Sequence, residues 1–441
     1  MIRSAAVASC VALVLELPLT PSARAEPPPL PTATPAAVGM SAERLARMGE
    51  HFRTEVDRNS AAGYVLMVAR YGKLVYSTAV GMRDRERQQP MTLDTRFRIE
   101  SMTKPVTAVA VLMLYEEGRL QLDDPVSRFL PEFADARVYT GVDAQGGFIT
   151  EPAKRPITVR HLLTQTAGLG YVRGYNPTTP LGKAYDSLQL ASLGTLADRV
   201  RAVARLPLYF HPGENWSYSF ALDVLGRLAE VVSGMPFDRF VKTRLLDPLG
   251  MTHTGFFLPR SDLPLLAVAY RHARTGALVP SDLPLADPTD PALPPSGGGG
   301  LISTPGDYLR FAQMLANGGS LAGRQYLSPV TVALMSSNQV PDDAMVKYWG
   351  EGSKGLGYGL GIGVIVDPAI APQADLAGDI SWGGLLDTHW IVSPKSGVVA
   401  VLMAQSDPRP NVYSPRTYVD FRNLLFAAVE RLEPASAPDR R

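Results

Sequence analysis

Cysteine is almost absent from this sequence. The single residue, Cys10, lies within the first 25 positions, so the rest of the chain has neither a thiol nor a disulfide, which excludes cysteine-based catalysis there. Net charge is almost absent as well, because 43 Lys and Arg are balanced by 42 Asp and Glu. No strong electrostatic field attracts nucleic acid or an anionic membrane, and we predict no nucleic-acid partner.

Signatures of metals and cofactors are also missing. The six histidines have no metal-ligand spacing and the carboxylates form no paired helical motif, so we predict no metal site. The glycine-rich segments 297–300 and 357–363 lack the strand-to-helix context of a dinucleotide fingerprint, and we predict no cofactor. No Gly-x-Ser-x-Gly occurs, which excludes the nucleophile elbow of the α/β-hydrolases.

What is present is the composition of a folded protein, with 46% hydrophobic and 19% charged residues in a chain of 441. The first 25 residues contain Arg3, an apolar stretch at 5–15 and a small-x-small pattern at 23–25, which together predict an export signal. An N-terminal membrane anchor is the alternative, although the stretch is shorter than the roughly 20 residues that a span requires. We expect a periplasmic or secreted protein with no integral membrane span after processing.

The remaining chain is predicted to form a single domain. Residues 26–40 are rich in proline and are interpreted as an extended tether outside the core, and residues 431–441 as a tail. Between them, Ser41 is the predicted cap of a helix that runs to about residue 56. We therefore place one domain of two lobes at residues 41–430.

Secondary-structure patterns are distributed unevenly over this domain. Strand patterns occur near its two ends, at 64–70, 73–80, 357–366 and 389–405. Helical patterns lie between them, for example at 105–117 and 221–232. This order predicts an α+β fold, with a sheet lobe at about 41–100 and 300–430 and an inserted, mainly helical lobe at about 101–299.

Ser101 and Lys104 form the only Ser-x-x-Lys of the sequence, at the start of a predicted helix. Residues three apart share one helix face, so the Lys104 amine can reach the Ser101 hydroxyl. A serine hydroxyl is a weak nucleophile until a neighbouring base takes its proton, and free N–H groups at a helix N-terminus can stabilise an oxyanion. The alternative is a helix-capping serine beside a solvated lysine.

Further motifs accompany this pair. They are 99–107 (IESMTKPVT), 118–126 (GRLQLDDPV), 162–169 (LLTQTAGL) and 212–219 (PGENWSYS). In these segments the sequence resembles the serine β-lactamase and penicillin-binding-protein superfamily, specifically its class C-like branch and the family VIII carboxylesterases. The resemblance extends from about residue 41 to residue 405 and implies the β-lactamase/transpeptidase-like fold, an antiparallel sheet flanked by helices.

Tyr218 matches the tyrosine of the family's Tyr-x-Asn motif. The resemblance implies that its phenol lies beside Ser101 and Lys104 and acts first as general base and then as general acid. Ordinary core packing is the alternative for this tyrosine. The asparagine of the motif is replaced by Phe220, which favours an apolar acyl group over an amide-bearing one.

The third family motif, Lys-Thr-Gly or a His-x-Gly variant, is replaced by Trp382, Gly383 and Gly384, similar to the Trp-Gly-Gly of family VIII esterases. The resemblance implies that the two glycines let substrate approach the strand backbone closely. It also implies an oxyanion hole formed by the backbone N–H groups of Leu385 and Ser101. Trp382 stands in place of the cationic residue that would pair with a substrate carboxylate. The alternative interpretation is that Trp382 is a core aromatic residue at the end of a strand.

These features predict an exported serine hydrolase that cleaves small-molecule carboxylic esters through an acyl-serine intermediate. Short-chain esters are favoured, because Phe220 and Trp382 replace groups that would recognise amides and carboxylates. The alternative with the same chemistry is a β-lactamase or a peptidase or amidase for D-amino-acid substrates. The alternative of another class is a catalytically silent penicillin-binding-like binding protein. The sequence leaves the oligomeric state open.

Overall fold

The computed structural model describes residues 28–171, 178–188, 194–341, 343–408 and 415–432. The predicted export signal and, beyond Leu432, the predicted tail lie outside these residues. Within the described part of the chain, no helix has both the length and the apolar character needed to cross a bilayer.

An antiparallel sheet of eight strands forms the centre of the fold. The strands of the protein are β1 (Gly63–Arg70), β2 (Lys73–Asp84), β3 (Gln89–Pro90), β4 (Phe97–Arg98), β5 (Arg137–Val142), β6 (Phe148–Pro152), β7 (Tyr270–His272), β8 (Leu278–Pro280), β9 (Ile302–Ser303), β10 (Ser320–Leu321), β11 (Arg324–Gln325), β12 (Leu356–Tyr358), β13 (Gly363–Ile365), β14 (Ile380–Gly384), β15 (Thr388–Ser393) and β16 (Val398–Met403). The order across the central sheet is β12-β13-β14-β15-β16-β1-β2-β3. Strands from the two ends of the domain therefore pair directly, through β1 and β16.

Helices cover this sheet and fill the middle of the chain. The α-helices are α1 (Ala42–Asp57), α2 (Thr103–Glu116), α3 (Val159–Leu163), α4 (Pro180–Asp186), α5 (Leu196–Ala204), α6 (Ala221–Ser233), α7 (Phe237–Val241), α8 (Asp247–Leu249), α9 (Pro305–Ala316), α10 (Pro329–Met335), α11 (Ala344–Trp349) and α12 (Pro415–Ala427). Shorter 3-10 turns lie at Pro35–Val38, Glu100–Met102, Val126–Arg128, Pro131–Phe133, Arg260–Leu265 and Glu351–Ser353, and a π-helical turn lies at Lys242–Leu246.

Both faces of the central sheet are buried. Side chains alternate between the faces along a strand, and in β1 Val65 and Met67 belong to one apolar core while Leu66 and Val68 belong to another. The first core includes α2, α6 and α9, and the second includes α1 and α12. The strands at the centre of the sheet, such as β1 and β16, are therefore apolar on both sides, which explains why their sequences are continuous hydrophobic runs.

Local signals in the sequence explain where the helices start and stop. Ser41 caps α1, because its Oγ accepts a hydrogen bond of 3.3 Å from the backbone N–H of Arg44. Helix α2 begins at Thr103, two residues before the predicted start, and Pro105 fits its first turn, where backbone N–H groups lack partners. Helix α6 ends at Gly234, whose φ of 73° is a left-handed cap.

The segment before α1 corrects one prediction. Residues 26–40 were predicted to be a tether outside the core, yet Val38 and Met40 are buried in the core beneath α1 and α12. The buried guanidinium of Arg70 donates hydrogen bonds to the carbonyl oxygens of Val38 and Gly39, at 3.0 and 2.7 Å. Proline-rich composition removes backbone donors, but the carbonyl groups remain available, and a buried arginine binds them here.

Helix α2 is the element that positions the site. Its residues from Thr103 to Leu114 are all buried, and a helix surrounded by protein carries apolar residues on every side. One continuous core joins α2 to α6, α9 and the inner face of the sheet. The N-terminal end of α2, with Ser101 in the turn before it, is thus held by this core.

Candidate active site

Ser101 lies in the 3-10 turn between β4 and α2. The residue before it, Glu100, has a φ of 47°, which is uncommon for a residue with a side chain and stores backbone strain. Behind the turn, Tyr308 Oη donates a hydrogen bond of 2.8 Å to the carbonyl oxygen of Met102. The serine is therefore presented by a strained turn that is fixed from the core side.

Lys104 is fully buried one helical turn after Ser101. Its Nζ lies 3.2 Å from Ser101 Oγ and 2.6 Å from the carbonyl oxygen of Gly298. It also lies 4.3 Å from the centre of the Tyr218 ring, which is within range of a cation–π interaction. The structure thus brings the Lys104 amine, from the first turn of α2, to the Ser101 hydroxyl in the turn before the helix. The lysine is not solvated.

Tyr218 is buried in the loop that precedes α6, and its Oη lies 2.5 Å from Ser101 Oγ. Gln165 accepts hydrogen bonds from the residues on either side of Tyr218. Its carbonyl oxygen accepts a hydrogen bond of 3.0 Å from the Ser217 N–H, and its Oε1 accepts one of 2.5 Å from the Ser219 hydroxyl. The structure thus brings Ser101, Lys104 and Tyr218 together in one place.

Strand β14 borders the site with its last residues. Its pairing with β13 ends at Ser381, so the backbone of Trp382, Gly383 and Gly384 is free on that side, while β15 pairs with it on the other. A Cβ added to Gly384 would lie 2.3 Å from the carbonyl oxygen of Ile99. Only glycine permits this contact between β14 and the turn that carries Ser101.

Leu385 follows β14 directly, in the turn to β15, and 47% of its surface is exposed. The close approach of Gly384 to Ile99 places this turn next to the Ser101 turn. The oxyanion hole of the Ser101 and Leu385 N–H groups stays a prediction.

Aromatic rings surround the tyrosine. Trp382 stacks near Tyr218 with ring centres 6.1 Å apart, and Trp349 of α11 lies 5.6 Å away with half of its surface exposed. Tyr171 contacts both Tyr218 and Phe220, at 5.4 and 4.6 Å. Phe220 and Trp382 were predicted from the sequence to bind substrate. Tyr171 and Trp349 were not predicted, because they belong to segments without a motif.

Glu100, the residue before Ser101, has a carboxyl of altered acidity. Burial raises the pKa of its carboxyl from 4.5 to about 7, and the positive charges of Arg98 and Lys104 oppose the rise. The pKa of Tyr171 is also raised well above its ordinary value, mainly by burial and further by Tyr218. The site is therefore a poorly hydrated environment in which electrostatic interactions are strong.

His389 does not face the site. His389 lies on the opposite face of the sheet from Trp382, where its Nε2 is 2.8 Å from Asp387 Oδ1 and its ring packs on Tyr418. In the ranges that the structure describes, no cluster of three or more His, Cys, Asp or Glu could hold a metal ion.

This combination of fold and site is that of a serine hydrolase related to the β-lactamases. The chain belongs to the beta-lactamase family, whose sequence model, Beta-lactamase, matches residues 48–422. The predicted superfamily, its α+β fold and the predicted enzyme class are thereby confirmed.

Individual proteins show the same relationship. Esterase EstB of Burkholderia gladioli is 34% identical over 419 residues, which cover 89% of this chain and 98% of that protein. The structure of EstCE1, a hydrolase with promiscuous acyltransferase activity, superimposes with a TM-score of 0.74 at 30% identity and covers 87% of this chain and 99% of that one. Unliganded simvastatin synthase (LovD) from Aspergillus terreus gives a TM-score of 0.74 at 26% identity, covering 88% of this chain and 100% of that one.

Proposed function

We propose that this protein is an exported esterase that cleaves small-molecule carboxylic esters through an acyl-serine intermediate on Ser101. One observation carries the proposal: Tyr218 Oη and Lys104 Nζ lie 2.5 and 3.2 Å from the same Ser101 Oγ, at the N-terminal end of a buried helix. Activation of a serine requires this proximity of a base to the hydroxyl. The esterase names of EstB and EstCE1 support an ester as the substrate.

In the acylation step, Ser101 Oγ attacks the ester carbonyl carbon while its proton passes to the deprotonated Tyr218 oxygen. The ammonium of Lys104 stabilises that phenolate before the transfer. The carbonyl oxygen becomes an oxyanion, which the N–H groups of Ser101 and Leu385 stabilise. When the C=O bond re-forms, the bond to the alcohol breaks, and the departing oxygen receives the proton from Tyr218.

Deacylation repeats these steps with water. Tyr218 takes a proton from the water molecule that attacks the acyl carbon, and the same two N–H groups stabilise the second oxyanion. The bond between carbon and Ser101 Oγ then breaks, the proton returns from Tyr218 to Ser101, and the carboxylic acid leaves. No proton or electron is gained or lost over the cycle, and the steps require no cofactor.

Short-chain esters with uncharged acyl groups are the proposed substrates. Phe220 and Trp382 present aromatic surface where the family uses an amide and a cation, and both pack against other aromatic side chains. A substrate carboxylate would lose its hydration at Trp382 without gaining a counter-charge from that residue. β-Lactams and peptide C-termini carry such a carboxylate and are therefore disfavoured.

Export is proposed from residues 1–25 alone, and the mature protein is expected in the periplasm or outside the cell. Expression of the full chain followed by fractionation and N-terminal sequencing tests it. A mature N-terminus near Glu26 in the exported fraction is the expected result, and an unprocessed chain in the cytoplasm would overturn the proposal.

The esterase proposal is tested by labelling and by paired substrates. Intact mass after fluorophosphonate treatment should increase by one adduct in the wild type and by none in Ser101→Ala. Wild type that has not been treated with fluorophosphonate should hydrolyse p-nitrophenyl butyrate faster than a chromogenic cephalosporin. A wild type that gains no adduct after fluorophosphonate treatment would favour the silent binding protein. Faster turnover of the cephalosporin would favour the β-lactamase.

Acyl transfer to an alcohol is a second candidate, because EstCE1 is described as a hydrolase with promiscuous acyltransferase activity. An alcohol would replace water in the second half of the cycle and would give a new ester. Hydrolysis of p-nitrophenyl butyrate in the presence of 1-butanol separates the two outcomes. Butyl butyrate among the products indicates transfer, and butyric acid alone indicates hydrolysis.

A further inference from the structure

Lys104 has a second hydrogen-bond partner that is closer than the serine. Its Nζ donates to the carbonyl oxygen of Gly298 at 2.6 Å, compared with 3.2 Å to Ser101 Oγ. A carbonyl oxygen accepts an N–H from an amine and from an ammonium alike. The position of the Gly298 carbonyl therefore determines where the nitrogen lies in either protonation state.

The loop that carries this carbonyl, residues 296–300, is held between two helices. On the α6 side, Asp223 Oδ1 accepts a hydrogen bond of 2.6 Å from the Ser296 hydroxyl. On the α2 side, Thr107 Oγ1 donates one of 2.8 Å to the carbonyl oxygen of Gly297. The loop thus has one side-chain anchor on each helix.

Asp223 also defines the space in which Gly298 lies. A Cβ added to Gly298 would be 2.5 Å from Asp223 Oδ2, closer than such atoms approach in proteins. One oxygen of the carboxylate therefore binds the start of the loop while the other contacts the glycine whose carbonyl meets Lys104. Asp223 is buried in the first turn of α6, three residues after Phe220.

We infer that Asp223 is a positioning residue: it holds loop 296–300 so that the Gly298 carbonyl keeps Lys104 Nζ beside Ser101. The inference rests on the proposed role of Lys104 in acylation. Asp223 acts through Ser296 and Gly298 rather than on the reacting atoms. Loss of its carboxylate should move the lysine and slow the chemical step without weakening substrate binding, because the aromatic walls around Tyr218 remain.

The test compares acylation in Asp223→Ala, Asp223→Asn, Ser296→Ala and the double variant Asp223→Ala/Ser296→Ala, by stopped flow with p-nitrophenyl butyrate. Asp223→Ala and Ser296→Ala should each lower the acylation rate about 10- to 100-fold, the range expected when a reacting group is displaced by about 1 Å. The substrate dissociation constant, obtained from the concentration dependence of the acylation rate, should change less than about twofold, because uniform binding is retained. Asp223→Asn should recover most of the rate, since the amide oxygen accepts the Ser296 hydrogen bond and fits the same space.

The double variant decides whether Asp223 acts through Ser296. Residues in one chain of contacts give non-additive effects, so the double variant should be no slower than Asp223→Ala. Effects that multiply in the double variant would overturn the inference, as would an unchanged rate in Asp223→Ala or an effect on the substrate dissociation constant alone. If Asp223→Ala fails to fold, Ser296→Ala and Asp223→Asn still decide, because they leave the packing of α6 in place.

A matched control variant measures the effect of removing an aspartate from the first turn of a different helix. Asp238 occupies the first turn of α7 as Asp223 occupies that of α6, so Asp238→Ala removes a similar interaction with a helix N-terminus. Its acylation rate should equal that of the wild type. Fluorophosphonate labelling of the wild type is measured first: absence of labelling contradicts the proposed function, whereas a labelled wild type with unaffected loop variants contradicts the positioning role alone.

Discussion

Tyr218 Oη and Ser101 Oγ lie 2.5 Å apart although 117 positions separate the two residues in the chain. The contact joins the loop before α6 to the turn before α2, two helices that pack in the same core. Gln165 fixes the tyrosine loop through hydrogen bonds on both of its sides. The hydroxyl of Tyr218 is thus aimed at the serine by rigid surroundings, as general acid–base catalysis requires.

Tyr218→Phe removes this hydroxyl and leaves the ring. We expect the ester hydrolysis rate to fall about 10²- to 10⁴-fold, the usual contribution of a general acid–base group. Stability should change little, because the ring keeps its contacts with Trp382 and Trp349. The rate is measured with p-nitrophenyl butyrate and the stability by chemical unfolding.

Tyr270→Phe is the matched control, since its hydroxyl is hydrogen-bonded to Glu86 and to the backbone of Arg85 in a different part of the fold. That variant should lose stability but keep its hydrolysis rate. Comparable rates in Tyr218→Phe and the wild type would contradict the role of Tyr218 as base and acid.

The sequence predicted the parts of this arrangement that depend on local spacing. Ser101 and Lys104 were paired from their separation of three residues, and the cap at Ser41 and the strands β1 and β2 followed from equally local patterns. The contact of Tyr218 with this pair has no local signature. It was expected only because the motif around it resembles a known family.

Residues that meet through long-range packing were not predicted. Trp349 and Tyr171 approach Tyr218 from different segments, and nothing in their own neighbourhoods indicates a site. The Gly298 carbonyl is a backbone group, which a motif of side chains cannot reveal. The burial of residues 38–40 depends on Arg70, an arginine inside a strand whose partners are fixed only by the tertiary fold.

Glu100 should make stability depend on pH. Its carboxyl has a pKa of about 7 in the folded protein and an ordinary value of 4.5, so the folded state binds more protons than the unfolded chain between these values. The free energy of unfolding should therefore decrease as pH rises through this window, by at most about 3 kcal/mol. Glu100→Gln has no such proton to lose and should become more stable than the wild type above about pH 7.

Chemical unfolding of both proteins at about pH 5 and about pH 8 measures this effect. Glu43→Gln, which removes an exposed carboxylate at the start of α1, controls for the loss of one negative charge. Equal pH dependence in the wild type and in Glu100→Gln would mean that the raised pKa of Glu100 makes no contribution to stability.

Trp349 should select for acyl groups that can stack. Half of its surface is exposed beside Tyr218, and an aromatic pair contributes about 0.5 to 1.5 kcal/mol beyond burial. Trp349→Ala should therefore raise KM for p-nitrophenyl benzoate roughly 3- to 10-fold and affect p-nitrophenyl butyrate less. The shared leaving group ensures that only the acyl part differs.

Val330→Ala is the control for loss of an exposed apolar side chain, because 79% of the surface of Val330 is exposed on α10. It should leave both KM values unchanged. An equal rise of KM for the two esters in Trp349→Ala would indicate a general distortion of the site rather than selection by stacking.

Gly384→Ala tests whether β14 must touch the Ser101 turn. The new Cβ would lie 2.3 Å from both the Ile99 carbonyl oxygen and Thr388 Oγ1, so the strand has to move away from the turn. We expect the acylation rate to fall about 10- to 100-fold, because an oxyanion donor that moves by about 1 Å loses most of its effect. Gly352→Ala is the control, since a Cβ there meets open space. If folded Gly384→Ala acylates as fast as this control, the N–H of Leu385 is not required, and the oxyanion must be stabilised by the turn before α2 alone.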